Sequence, residues 1–207
     1  MNADVPPHYR WAIVSLIKLG LVGIALGMVL GIWWTDYRKH IRFADEAKVE
    51  VVKGTEKLDI PAGKNFETGL KLKLSHGHTT LILGVLPLCF AASLHLSRIY
   101  GGREIGAGAL KAFFWLYTAG GVGTLAIVVY RGYASFSAIR GRIAAGEPLT
   151  SGLMQEVQDE LFGGSRLVKG LAYGLTHTVL AVGAGILIFH LWRALRPPPA
   201  VADAPAP

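Results

Sequence analysis

The sequence predicts an all-α membrane protein: a four-transmembrane-helix bundle with a small β-like extramembrane loop and a short amphipathic helix. Three observations carry that prediction. Hydrophobic side chains make up 52% of the 207 residues and charged ones 17%, with 26 glycines, which is more apolar than an ordinary soluble domain. Four stretches reach the roughly 20 apolar residues needed to cross a hydrocarbon core about 30 Å thick, namely residues 11–34, 75–96, 110–130 and 167–192. Trp33, Trp34, Tyr100, Tyr130 and Trp192 stand where these stretches meet their flanks, as amphipathic rings do at a membrane interface.

In the first span Gly23, Gly27 and Gly31 recur every fourth residue, a smooth stripe on which another helix backbone can lie closely. Lys18, about two turns inside, can snorkel its ammonium back to the interface. The span is too long for a cleaved leader and ends in two tryptophans, so it is expected to be a retained helix. The loop 38–73 is polar, and its pieces Lys48 to Lys53, Lys57 to Ile60 and Leu70 to Leu74 alternate charged with apolar residues at period two, which predicts the β-like cap.

In the second span Pro87 removes one backbone donor and is expected to bend the helix. The connection from Gly101 to Gly108 is short, making the second and third helices antiparallel neighbours. The third loop, 131–166, is expected to hold the amphipathic helix, with Leu153, Met154, Val157 and Leu161 on one side and Gln155, Glu156, Asp159 and Glu160 on the other. Gly163 and Gly164 would stop it. Residues 1–196 then form a single membrane domain, and residues 197–207, rich in proline and alanine, a disordered tail.

Charge and cysteine usage narrow the function. The net charge of +7 comes without a basic groove interleaved with aromatics, so no nucleic-acid partner is expected; the Lys and Arg flank membrane helices. Cys89 is the sole cysteine, which excludes an intrachain disulfide and a thiolate cluster. Asp and Glu are absent from the four spans, so an ion pump built on intramembrane carboxylates has no support.

Histidine placement is the main chemical signal. Of seven histidines, His76, His78 and His95 lie on the second span and His177 and His190 on the fourth. A strongly polar side chain in hydrocarbon is costly and turns to a partner inside the bundle. Height along the helices sorts the five into two layers, each drawing on both helices: His76, His78 and His177 in one, His95 and His190 in the other. Imidazole pairs facing each other across two helices can clamp a haem b iron from both faces, and His78 with His177, and His95 with His190, are the candidate pairs. His76 and His78 differ in direction by about 200°, and His177 and His190 by about 140°, so two stacked haems in one seam fit poorly and the layer of His78 and His177 is preferred. Arg98, Arg131 and Arg166 stand at span ends where a haem propionate could be paired. Copper is an alternative cofactor, if His40, His76, His78 and His177 meet near one interface.

The stretch His76-Gly77-His78-Thr79-Thr80-Leu81-Ile82-Leu83-Gly84 resembles the helix of haem-copper oxidases that carries two haem ligands, and the overall pattern is similar to small four-helix membrane cytochrome b-type subunits. The resemblance covers about ten residues. It implies that His76 and His78, on opposite faces near a helix start, suit haem ligation, and that this helix enters from the outer side. Lys and Arg number about 14 on the side of the two long loops against about seven on the other, which by the positive-inside rule would put those loops in the cytoplasm. Following the resemblance, the N- and C-termini are assigned to the cytoplasm of a bacterial inner membrane.

The sequence therefore predicts a membrane-embedded electron-transfer subunit with haem between the second and fourth helices. It would belong to a membrane oxidoreductase complex, with the bilayer, other membrane subunits, a quinol and a cytochrome-type redox partner around it. The alternatives are a structural or assembly subunit without its own cofactor, and a copper-binding membrane protein.

Overall fold

The computed structural model describes residues 5–39, 48–53, 56–61, 72–148 and 151–196. Helix α1 covers Pro7–Lys39. Strands β1, Lys48–Lys53, and β2, Glu56–Pro61, follow. Helix α2, Leu72–His78, runs into a π-helical segment, Thr79–Val85, and on into α3, Leu86–Ile99. Helix α4 covers Ala107–Ala144 and α5 Ser151–Glu160; after a 3-10 turn, Leu161–Gly164, comes α6, Arg166–Ala194. Four stretches are long and apolar enough to cross a membrane: Pro7–Thr35, Leu74–Ile99, Ala107–Ala144 and Arg166–Ala194. His40 and residues 197–207, for which expectations were stated, lie outside the described residues.

The outside of the bundle is apolar and part of its inside is polar. Leu21, Val22, Met28, Val29 and Ile32 on α1 and Leu167, Leu171, Leu175, Ile188 and Trp192 on α6 are exposed, while Ser75, Thr79, Thr124 and Ser135 are buried. Exposed apolar surface on this scale suits hydrocarbon, and helices satisfy their own backbone there. At the end near the N-terminus, Tyr9, Leu16, Leu94, Leu110, Phe113, Tyr117 and Leu187 form a fully buried cluster. The Phe90 ring meets Phe113 and Tyr117 edge-on, with centroids 5.4 and 5.3 Å apart, the arrangement aromatic quadrupoles favour.

Two tightly packed helix pairs make the bundle. Helix α1 lies along the second span and α6 along α4, and α4 joins the pairs by packing on both α1 and α2. Glycines permit these approaches. The stripe on α1, which gains Gly20, runs against Leu83, Gly84 and Leu88, and Gly120 and Gly183 do the same work between α4 and α6, against Leu180 and Tyr117.

Around Pro87 the disturbance takes the form of the π-helical segment. The Leu86 N–H bonds Leu81 O, five residues back. The next bond in that pattern would join the amide of residue 87 to Ile82 O, and proline has no N–H. The Tyr117 hydroxyl of α4 donates to Ile82 O instead, at 2.5 Å. A part-buried carbonyl is thus satisfied from a neighbouring helix.

Two expected boundaries change. Strands β1 and β2 pair antiparallel, Val49 opposite Ile60 and Val51 opposite Leu58, but the piece Leu70 to Leu74 is helical from Leu72 onward. Ser75 and Thr79, four residues apart and so on one face of a helix, are both buried. The loop 131–166 does not begin at Arg131, because α4 continues to Ala144. Apolarity falls after Tyr130, yet nothing breaks the helix before Gly146, whose φ is +91°, and Pro148.

Helix α5 packs its Leu153 and Val157 inward, with Leu161 of the turn, and exposes Gln155, Glu156, Asp159 and Glu160. It lies on the projecting end of α4 and touches β1. Arg142 of α4 pairs with Glu147, Glu156 and Glu160. The turn after α5 is sharp: Phe162, Gly163 and Gly164 all have positive φ, 61°, 67° and 74°. For phenylalanine that left-handed conformation costs about 1–2 kcal/mol.

Candidate histidine site

On the second span the helix start fixes the histidine directions. The Thr79 hydroxyl donates to Ser75 O at 2.6 Å, holding the buried side of the turn. His76 faces α1: a Cβ added to Gly31 would lie 3.7 Å from the His76 Cβ. Its Nδ1 is buried without a hydrogen-bond partner. His78, two residues on, points elsewhere and bonds Leu74 O through Nδ1 at 2.9 Å.

On α6, His177 repeats that bond. Its Nδ1 lies 2.8 Å from Tyr173 O, again four residues back. A carbonyl only accepts, so in both histidines Nδ1 carries the hydrogen, and the neutral ring presents an Nε2 lone pair. A metal-ligating histidine is oriented in this way, with its second ring N–H donated to a carbonyl.

Neighbouring side chains fix His177 further. Its ring stacks on Tyr173, with centroids 6.1 Å apart and planes at 29°. The Tyr173 hydroxyl accepts from Arg131 Nη1 at 3.3 Å, and Arg131 Nε donates to Gln158 Oε1 at 2.8 Å. Gln158 in turn donates to Ser135 Oγ at 2.6 Å and accepts at its backbone carbonyl from Lys169 Nζ at 3.4 Å. The strained Phe162 packs between Tyr130 and Tyr173, at 5.1 and 6.4 Å.

His78 and His177 stand at one height. Gly121 of α4 lies beside Leu83, and Gly120 beside Leu180; counting back along each helix puts the two histidines within about one turn, or 5.4 Å. Across the bundle, α4 packs on both α2 and α6, while the second and fourth spans meet chiefly through α3. The two helices flank this level and do not interlock there. Beside His78, Gly77 has open space where a Cβ would sit, and on α6 so do Gly170 and Gly174.

The residues of the second expected pair line two different cavities. His95 lines a cavity of about 380 Å³ with Val5, Arg10, Ile13 and Val14. His190 lines another, of about 270 Å³, with Arg103, Glu104 and Arg193. Equal height along two helices is not proximity, because the helices turn these side chains into different grooves. Likewise His76, His78 and His177 form no three-ligand cluster, and no group of three or more His, Cys, Asp or Glu suited to a metal occurs among the described residues. Of the expected arginines, Arg131 joins the His177 cluster. Arg98 donates to Gly102 O at 3.1 Å and covers the Tyr9 ring, and Arg166 is exposed at the first residue of α6.

Sequence reasoning missed Tyr173, Gln158 and Tyr117. Tyr173 had a signal, a tyrosine one helical turn before a membrane histidine; Gln158 and Tyr117 act across helices and left none. His8, in the flank of the first span, has a fastening role. Its Nε2 lies 3.1 Å from both Ile105 O and Glu104 Oε1, and the Tyr9 hydroxyl accepts from the Ile105 N–H at 2.8 Å, fastening α1 to the connection between α3 and α4. No family model, curated protein or solved structure matches the chain.

Proposed function

We propose that the chain is a membrane cytochrome b-type subunit that binds haem b through His78 and His177 and carries electrons within a membrane oxidoreductase complex. One observation carries this reading: the two histidines, at one height on separate helices, each donate Nδ1–H to the carbonyl four residues back, leaving two Nε2 atoms as ligands of the same kind. The residues present suit the group. Gly77 and Gly174, one and three residues before His78 and His177, have open space where a Cβ would sit, Tyr173 stacks on the His177 ring, and Arg131, held by Gln158 and Tyr173, offers a guanidinium to a propionate.

When bound, haem supplies a one-electron redox couple at its iron. The chain's own residues orient it, neutralise its carboxylates and surround it with apolar helices. The electron donor is a quinol in the bilayer and the acceptor a cytochrome-type partner; the membrane is a bacterial inner membrane, with both chain termini on its cytoplasmic side. The test is optical: the purified chain shows a Soret band and a pyridine haemochrome, and absence of both overturns the reading.

A second reading, a structural subunit without its own cofactor, is favoured by α6, which leaves Leu167, Leu171 and Leu175 exposed for a partner helix. Under that reading the chain leaves detergent extraction attached to other subunits and carries no chromophore.

A further inference from the structure

The cavity at His190 has the character of an anion site. The Arg103 N–H donates to Ala194 O at 3.0 Å, which fastens the connection before α4 onto the end of α6. Arg103, His190 and Arg193 are thereby brought to one wall of about 270 Å³ of space. The carboxylate on that wall, Glu104, is turned to His8, with Oε1 3.1 Å from Nε2. Among the described residues the side chains of Arg103, His190 and Arg193 have no hydrogen bond and no anionic partner; Arg193 lies over the Phe189 ring at 5.6 Å. The same wall includes Gly106, the residue before α4, which gives that helix start no side-chain cap. The cavity lies at the last turn of α6, the end of the apolar stretch Arg166–Ala194, where a span meets its flank.

We propose that this cavity binds a phosphate-bearing anion, and that the headgroup of an anionic phospholipid is its occupant. Two guanidiniums can each take a phosphate oxygen pair through parallel N–H donors, and His190 adds a third donor. The position at the end of a membrane-length apolar helix favours lipid over a soluble phosphate, since acyl chains can then lie along the exposed apolar surface of the spans. The reading is independent of haem at His78 and His177.

The test uses the full chain in detergent, titrated with phosphatidylglycerol, with phosphatidylcholine and with inorganic phosphate, and read by native mass spectrometry and by unfolding temperature. Phosphatidylglycerol binds and raises the unfolding temperature, and phosphatidylcholine, whose choline offsets the phosphate, does neither. The double variant R103Q/R193Q binds roughly thirtyfold more weakly and R193Q alone roughly fivefold, while R140Q, far along α4, binds as the parent does. Should the double variant not fold, R193Q with H190N carries the test. Inorganic phosphate binding as tightly as the lipid, and lost in the same variants, would support the cavity and identify a soluble phosphate as its ligand. The proposal is overturned if neither probe binds, if phosphatidylcholine binds equally, or if the arginine variants bind unchanged.

Discussion

Gly23 lies against the carbonyl of Leu83, with no room for a Cβ between them. This contact seats α1 on the π-helical segment. Gly23→Ala forces the helices apart and destabilises the protein by about 1–3 kcal/mol, the usual cost of overpacking. Gly31→Ala, whose Cβ would sit 3.7 Å from His76, is neutral or slightly stabilising because alanine is the better helix former. Thermal unfolding of both variants in one detergent checks the contrast; equal effects would contradict the packing described.

Tyr117→Phe removes the donor to Ile82 O and costs about 1–3 kcal/mol, the penalty of a part-buried acceptor left unpaired. In a Pro87→Ala background the amide of residue 87 regains an N–H, and the same change costs less. A double-mutant cycle on unfolding free energy should give a coupling of about 0.5–3 kcal/mol; strict additivity would break the link drawn between Pro87 and Tyr117.

With haem bound, His78→Ala and His177→Ala each abolish the low-spin spectrum, and His8→Ala leaves it intact. His95→Ala and His190→Ala also leave it intact, since those side chains line separate cavities. Reduced-minus-oxidised difference spectra decide this. A spectrum lost in the His95 variant and kept in the His78 variant would reassign the ligands.

Gln158→Leu deprives Arg131 Nε of its acceptor and Ser135 of a donor. Stability falls by about 1–3 kcal/mol, and amide exchange of α5 speeds up relative to that of α1. Uniform exchange across both helices would show that Gln158 does not hold α5 in place.

Hydropathy made the four spans legible, because each must supply an unbroken apolar run. The glycine repeat on α1 was legible as a packing face, but its partner and the contribution of Gly20 were not, since spacing on one helix says nothing of what lies opposite. Pro87 announced a disturbance whose form depended on a tyrosine 30 positions away. The end of α4 was misplaced at Tyr130 because loss of apolarity was equated with loss of helix, whereas Gly146 and Pro148 mark the true stop. For the histidines, sequence position gave height along each helix. The direction each takes across the bundle depends on neighbouring helices, so height alone did not tell that His95 and His190 line different cavities.

Helix α4, with its 38 residues, is about 57 Å long at 1.5 Å per residue, and a hydrocarbon core about 30 Å thick leaves much of it outside. Its outer arm is clasped to α5 by Arg131 and Arg142, and its inner arm is wedged between α6 at Gly120 and the second span at Gly121. Such a rod is a lever with its fulcrum at the membrane surface. A sideways displacement of α5 becomes a tilt of α4 against Leu83 and Leu180, which carries movement at the α5 end to the flanks of the histidine level.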